Sequence, residues 1–226
     1  MEIILGPVRN ILIFDHNYFQ IVSLSLYVSL IATILSAFFS IVVSSYIASN
    51  KFYGKSSIII IVNTLMSLPP VVVGLILYLI FSASGMLGFM DILYSPTIMV
   101  IAQFIIVTPI IISLATKILS DNYELLHEYL NSLNATGLVI RQTIVYESRF
   151  SLLIVVITGL SRALSEVGAV IIVGGNIENL TRVMTTSIVL ETSRGELSLA
   201  LSLGITLITI ALIMNLFISI IKNKYS

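Results

Sequence analysis

The chain has 226 residues, of which 58% are hydrophobic and 10% charged, and its mean hydropathy is +1.10. Soluble domains carry about 25% charged residues, so a water-soluble globular fold is excluded. The 11 basic and 11 acidic side chains balance, which argues against a nucleic-acid-binding protein. There is no cysteine to supply a thiolate ligand, and His16 and His127 lie too far apart in sequence to suggest a metal site.

Five apolar stretches are long enough to cross a bilayer, which takes about 20 predominantly apolar residues. None alternates with period two, and lipid-exposed backbone has to satisfy its own hydrogen bonds, so each stretch is predicted to be helical. The stretches are Tyr18–Ala48, Ser57–Ser82, Pro96–Thr116, Phe150–Val173 and Leu197–Ile221. The predicted fold is therefore all-α, a polytopic membrane helix bundle with about five transmembrane helices.

Lysine and arginine are distributed unevenly between the segments that connect these stretches. One set of segments holds Arg9, Arg182 and Arg194, and the opposite set holds Lys51, Lys55, Lys117, Arg141, Arg149, Lys222 and Lys224. The positive-inside rule places the richer set in the cytoplasm. We therefore expect the N-terminal segment, residues 1–17, outside the cell. The C-terminal tail, residues 222–226, is then cytoplasmic, as five crossings require.

The segment between the third and fourth stretches is polar on average but keeps apolar residues at helical spacing. Asp121 and Glu124 predict a helix that begins near Ser120, and Asn134–Gly137 predicts a turn before a second short helix. We expect a cytoplasmic helical hairpin over residues 120–147. It is a docking surface, an amphipathic element lying on lipid or, in the plainest interpretation, a solvated connector.

The hairpin resembles the EAA loop of ABC importer permeases, whose pattern is Glu-Ala-Ala, three residues, Gly, nine residues and Ile-x-Leu-Pro. Glu128 and Ile144 fall on the glutamate and the isoleucine at the right spacing. The sequence departs from the pattern at Tyr129, Leu130, Asn134, Tyr146 and Glu147. Asn in place of Gly is a mild change, because Asn tolerates left-handed backbone. The resemblance implies that the residues coupling the chain to an ATPase are Glu128, Leu133, Asn134, Ala135, Thr136, Gly137 and Ile144.

Two further motifs resemble those of molybdate, sulfate and tungstate permeases. Ser67–Leu75 is similar to their second-helix motif, and Arg162–Val170 with Val173–Ile177 is similar to their fourth-helix motif. The sequences Ser-Glu-Val-Gly-Ala and Gly-Gly-Asn-Ile are most similar to those of tungstate permeases. The three motifs together cover most of Ser57–Ile177. By this resemblance, residues 18–221 form an ABC type-1 transmembrane domain.

Polar and helix-breaking residues inside these motifs are candidates for the translocation path. Pro69 and Pro70 remove amide donors and predict a kink or an unwound turn, although proline is also simply common in membrane helices. Arg162 and Glu166 are four residues apart and are expected to pair on one helix face. The pair either holds neighbouring helices together or attracts an oxyanion. Gly168 and Asn176, from the same motif, are further packing or path candidates.

The resemblance implies the permease subunit of an ATP-driven importer for a tetrahedral oxyanion, most closely tungstate, with molybdate and sulfate as alternatives. Its implied partners are ABC ATPase subunits, an extracytoplasmic oxyanion-binding protein, a second copy of the chain and the lipid of a prokaryotic plasma membrane. No Walker-type phosphate-binding motif occurs, so we expect a non-enzymatic subunit without cofactor or metal. The alternatives of other classes are an ATP-independent secondary transporter, which should carry ionisable groups on several helices, and an intramembrane enzyme.

Overall fold

A computed structural model describes residues 16–50 and 52–225, which are helical and contain no β-strand. Most of the predicted external segment 1–17, as well as Lys51 and Ser226, lies outside the described residues. The α-helices are α1 (His16–Ser49), α2 (Lys55–Met66), α3 (Pro70–Phe81), α4 (Pro96–Ser132), α5 (Gly137–Glu147), α6 (Arg149–Leu164), α7 (Gly168–Gly174), α8 (Met184–Arg194) and α9 (Leu197–Tyr225). A short 3-10 turn, Gly88–Met90, lies between α3 and α4.

Three helices, α1, α4 and α9, are long and apolar enough to cross a membrane individually. Two bent pairs, α2 with α3 and α5 with α6, bring the number of candidate spans to five if each pair counts as one. The chain is therefore an integral membrane protein, and the predicted polytopic helix bundle is confirmed. Its orientation in the membrane stays a prediction.

α1 and α4 form the central helix pair of the bundle, and a ladder of serine hydroxyls joins them. Ser36, Ser40 and Ser44 of α1 donate hydrogen bonds to three carbonyl oxygens of α4, at 3.4, 3.2 and 3.1 Å. Each pair is 68 residues apart, so the two helices run in the same direction in constant register. Small hydroxyl side chains permit this close approach, and such bonds contribute roughly 0.6 kcal/mol each in membranes.

The third predicted span continues into the hairpin as one helix. α4 runs from Pro96 to Ser132, so the separate helix predicted to begin near Ser120 is wrong. Leu119 and Leu130 are buried in the core cluster that also contains Ile140 and Ile144, and they extend the helical packing past the apolar stretch. Asp121 is exposed on the outer side of this continuous helix and does not begin a new one.

The fourth predicted span, in contrast, is not one helix. It consists of α6 and the short α7, with a break at residues 165–167. The backbone N–H of Glu166 bonds to the carbonyl of Ala163 at 3.2 Å, a tightened last turn that ends α6. The carbonyl of Ala163 also accepts a bond from the buried Gln103 side chain of α4, at 3.1 Å. A side chain of α4 therefore stabilises the break at the end of α6.

The connection between the fourth and fifth spans folds back against the end of the bundle where α1 begins. α8 lies in this connection, and four of its first residues, Met184 to Ser187, are buried. The N–H of Met184 donates to the hydroxyl of Ser25 on α1 at 2.7 Å, which satisfies one of the unpaired amides at the start of a helix. The connection is thereby fixed to the first span.

Candidate functional site

Two helix breaks form the first part of the site, and the break between α2 and α3 contains both prolines. The axes of these helices are bent by 93°. Pro69 is extended, with φ −63° and ψ 121°, and Pro70 is the first residue of α3, where the missing N–H costs nothing. The carbonyl of Pro69 accepts bonds from Val72 and Val73 at 3.0 and 3.3 Å. The kink or unwound turn predicted here is confirmed.

The second break contains Glu166, whose side chain is 3% exposed. Its Oε2 lies 3.4 Å from Arg162 Nη1, so the predicted ion pair forms although α6 ends before Glu166. Its Oε1 accepts a bond from the N–H of Ala169 at 3.3 Å. Arg162 is 41% exposed, so one partner of the pair is buried and the other is accessible.

The two breaks lie against each other. A Cβ added to Gly168 would be 2.7 Å from Val71 Cγ2 and 3.3 Å from the Val71 nitrogen. A Cβ added to Gly74 would be 2.8 Å from Ala169 Cα. Both distances are shorter than side chains accept, so glycine is needed for the two helices to touch. The structure therefore brings together Pro69, Pro70, Arg162, Glu166 and Gly168, as two halves of one contact.

Asn176, the remaining path candidate, has a separate set of contacts in the connection before α8. Its backbone is left-handed, with φ 51°. Its Oδ1 accepts a bond from the Thr186 hydroxyl at 2.8 Å, and its Nδ2 donates to the Thr186 carbonyl at 3.4 Å. The neighbouring Thr185 donates to the carbonyl of Glu166 at 2.9 Å. Asn176 thus organises the connection that packs beside the second break.

The turn of the hairpin is the second part of the site. Asn134 has a left-handed backbone, φ 54°, as the replacement of the family's glycine predicted. Its N–H donates to the carbonyl of Asn131 at 2.9 Å, and the N–H of Ala135 donates to the carbonyl of Leu130 at 3.1 Å. α5 then begins at Gly137, so the predicted turn and second short helix are confirmed.

The candidate coupling residues divide into an exposed and a buried group. Glu128, Leu133, Asn134, Thr136 and Gly137 are exposed, and Leu133 is 61% exposed. Leu125, Tyr129, Leu138 and Val139 add further exposed apolar surface. In contrast, Ile144 is 1% exposed within a core cluster, and Ala135 packs against the same cluster. Ile144 therefore holds the hairpin in place and is not available to an outside partner.

Two side-chain contacts fasten the hairpin to the spans. The guanidinium of Arg141 lies over the ring of Tyr46 on α1, 5.4 Å from its centroid. Asn122 of α4 donates to the hydroxyl of Ser148, between α5 and α6, at 2.6 Å. A displacement of the turn would therefore be transmitted to α1 and α6 through these two contacts.

Three residues of the site were not predicted from the sequence: Gly74, Thr185 and Gln103. Gly74 carries a local signal, because it is a small residue in the second-helix motif, four residues after Pro70. Thr185 and Gln103 carry none, since their bonds to the second break span 19 and 60 residues of sequence.

Among the described residues, no group of three or more His, Cys, Asp or Glu side chains could hold a metal ion. His127 stacks on the ring of Tyr123 with centroids 5.0 Å apart, and its Nδ1 lies 3.0 Å from the Tyr123 carbonyl oxygen. This histidine is thus used within its own helix.

The chain is similar to known permeases over most of its length, although no established family profile matches it. The tungstate uptake system permease protein TupB of Peptoclostridium acidaminophilum is 38% identical over 211 residues, which are 93% of this chain and 92% of that protein. TupB of Campylobacter jejuni is 38% identical over 73% of this chain and 69% of its own length. A probable anion ABC transporter permease protein of Haloferax volcanii is 34% identical over 87% of both chains. At this identity and coverage, the chain belongs to the family of uptake-system permeases that includes the TupB proteins.

Proposed function

We propose that the chain is the permease subunit of an ATP-driven importer that takes up tungstate. The observation that carries this proposal is the 38% identity to a tungstate uptake permease over 93% of the chain. The sequence Ser-Glu-Val-Gly-Ala at residues 165–169 agrees with the tungstate proposal. Molybdate and sulfate have less support, because two of the three relatives above are named for tungstate uptake.

The proposed arrangement treats residues 18–221 as the transmembrane domain, with residues 1–17 outside the cell. The tail, residues 222–226, and the hairpin, residues 120–147, are then cytoplasmic. The excess of lysine and arginine in these segments supports this orientation. The parallel course of α1 and α4 agrees with it, since the first and third spans of such a chain cross in the same direction.

The contact of the two helix breaks is the proposed element of the translocation path. Unwound backbone is tolerated inside a membrane only where protein or water satisfies it. Arg162 is accessible on one side of this contact and supplies the positive charge that an oxyanion requires. Its buried partner Glu166 fixes the position of that charge. A packing role for the pair alone is the competing interpretation, and a double variant that removes both charges separates the two.

The hairpin turn is the proposed attachment point for a separate ATPase subunit. Its exposed residues surround Asn134 and combine an acidic side chain, Glu128, with apolar ones such as Leu133. A mixed polar and apolar surface of this kind is typical of protein interfaces. Because the chain has no phosphate-binding loop, ATP hydrolysis belongs to the partner, and this subunit is not an enzyme.

A second copy of the chain and an extracytoplasmic binding protein complete the proposed importer. The outer faces of α2 and α3 are apolar and exposed, with Ile60, Ile61, Val71, Leu75 and Leu79 each at least 49% exposed. α2 has no buried residue at all in the described structure, so it is available to a symmetry partner. ATP-driven closure of the ATPases would move the hairpins as rigid bodies. The attached helices would then switch the opening of the path from the outside of the membrane to the inside.

The direct test is the metal content of cells with and without the gene. Loss of tungsten accumulation with unchanged molybdenum and sulfur, restored by a plasmid copy, is the expected result. An unchanged tungsten level would contradict the proposed substrate. Copurification of an ATP-binding protein from mild detergent tests the importer class separately. Its consistent absence, together with uptake that persists without ATP, would favour a secondary transporter.

A further inference from the structure

A cavity of about 300 Å³ lies between α1, α2 and α4, away from the contact of the two helix breaks. Its aliphatic lining residues are Ile47, Ile59, Val62, Ile112 and Leu114. Its polar lining residues are Asn63, Ser113, Thr116, Lys117 and Ser120. The cavity is therefore amphipathic, with an ammonium group at one edge.

The position of the cavity is set by the end of the apolar stretches. Lys117 is the first charged residue after the third stretch, and Ile47 lies next to the end of the first. Both stretches run in the same direction, so this edge coincides with one boundary between hydrocarbon and headgroups. A ligand in the cavity would contact both regions of the bilayer.

The polar groups at this edge are suited to an anion. No residue that lines the cavity is acidic. Lys117 makes neither an ion pair nor a hydrogen bond with any other described residue, and Asp121, one turn further along α4, is not paired with it.

The nearby Lys55 does have hydrogen-bond partners, so the lack of a partner at Lys117 among the described residues is not general for lysines at this boundary. Lys55 Nζ donates to the carbonyls of Ala48 and Asn50 at 3.3 and 3.4 Å and so closes the end of α1. Lys117 lies across the cavity from α2 with no such role. Asn63 also keeps its Nδ2 donor available, because only its Oδ1 is used, by the Ser113 hydroxyl at 2.7 Å.

We propose that this cavity binds an anionic phospholipid, with the phosphate group at Lys117 and Ser120 and an acyl chain along Ile47, Ile59 and Val62. Basic pockets between transmembrane helices at the cytoplasmic boundary are suited to such headgroups. A free tetrahedral oxyanion would share the phosphate's contacts with Lys117 but would leave the aliphatic wall uncovered. This inference does not depend on the substrate proposed above.

Native mass spectrometry of the purified permease in mild detergent tests it, with equimolar phosphatidylglycerol and phosphatidylcholine added. The wild-type chain should retain one phosphatidylglycerol in preference to phosphatidylcholine. Lys117→Gln should weaken this binding about fivefold, the effect of one lysine near an anionic surface. Lys117→Arg should keep it. Ile59→Trp, which fills the cavity and leaves the charge unchanged, should abolish it.

Unchanged retention in Lys117→Gln or in Ile59→Trp would overturn the proposal, as would equal retention of the two lipids. Tungstate is the second arm of the experiment. If millimolar tungstate displaces the phosphatidylglycerol and binds in its place, the site belongs to the free oxyanion and the lipid assignment is wrong. Unfolding temperatures of the four chains, measured without lipid, establish that each variant is folded. A failure of this site leaves tungsten accumulation in cells unaffected, so it can be distinguished from a failure of the proposed function.

Discussion

Gly168 lies so close to Val71 that a Cβ at position 168 would stand 2.7 Å from Val71 Cγ2. Gly168 begins α7 and Val71 follows the proline pair that begins α3, so this contact joins the two interrupted helices at their breaks. Sub-ångström changes here would alter the spacing of both breaks together.

The contact predicts an order of sensitivity among glycine variants. Of the two glycines in this contact, Gly74→Ala should be the more damaging, because the new Cβ would meet the backbone of Ala169 at 2.8 Å, and a backbone cannot rotate away. Overpacking of this kind costs about 2 kcal/mol. Gly168→Ala should be less damaging, because the closest atom belongs to a side chain. The unfolding temperature in detergent measures this order.

Gly204→Ala on α9 is the matched control. A Cβ at this position has nothing within 4 Å, and alanine favours the helix, so stability should stay the same or rise. If Gly74→Ala were as stable as Gly204→Ala, the two helices would not be packed as closely as described.

The ion pair at the second break predicts an asymmetric response to charge removal. Arg162→Ala leaves the carboxylate of Glu166, 3% exposed, without its counter-ion, and should cost about 3 kcal/mol. Glu166→Gln should cost less, because its side-chain oxygen can still accept the Ala169 amide and Arg162 is 41% exposed. The double variant should recover most of the loss. Thermal unfolding and tungstate uptake are both measured.

The uptake measurement decides between the two roles of the pair. A double variant that is stable but does not transport would support a role of Arg162 in the path. A double variant that transports normally would support packing alone. Equal instability of all three variants would remove the ion pair as a stabilising interaction.

The proposed orientation can be measured with single cysteines, because the chain contains none of its own. Met86 is 89% exposed in the connection between α3 and α4, and Gln142 is exposed on α5. Met86→Cys should react with an impermeant thiol reagent in intact cells, whereas Gln142→Cys should react only after the cells are opened. The reverse pattern would invert the topology and move the hairpin to the outside.

The sequence was sufficient to predict the all-helical membrane bundle, the kink at the prolines and the turn at Asn134, because local composition and backbone preference determine each of them. It was insufficient where distant contacts decide. Asp121 has the properties of a helix start, yet the buried Leu119 and Leu130 carry α4 past it. The sequence around Glu166 contains no proline and was predicted to be helical. The break there depends on bonds from Gln103 and Thr185.

The site was predicted in the same uneven way. Arg162 and Glu166 were paired from their spacing, and the pair forms. The two motifs touch through Gly74 and Gly168. This contact depends on how α3 and α7 pack, and the sequence of neither motif predicts it. Ile144 was grouped with the coupling residues because it matches the loop pattern. Its burial in the core cluster shows instead that it supports the hairpin and does not contact a partner.

Coupling at the hairpin turn is the central claim, and Asn134 allows it to be tested with two opposite substitutions. Asn134→Pro should disrupt the turn, because proline locks φ near −65° where the chain has φ 54° and lacks the N–H that bonds to Asn131. Asn134→Gly should preserve the turn, because glycine adopts positive φ without strain. Insertion of both variants should be normal, since insertion depends on hydrophobicity and flanking charge.

The decisive measurement is tungstate-stimulated ATP hydrolysis in liposomes that contain the permease together with the proposed ATPase and binding protein. We predict that the wild-type chain and Asn134→Gly stimulate hydrolysis to the same extent. We predict that Asn134→Pro, present in the membrane at the same amount, loses at least nine tenths of the stimulation. A tenfold loss corresponds to about 1.4 kcal/mol. Undiminished stimulation in Asn134→Pro would contradict the account, because a solvated connector tolerates proline and a coupling turn does not.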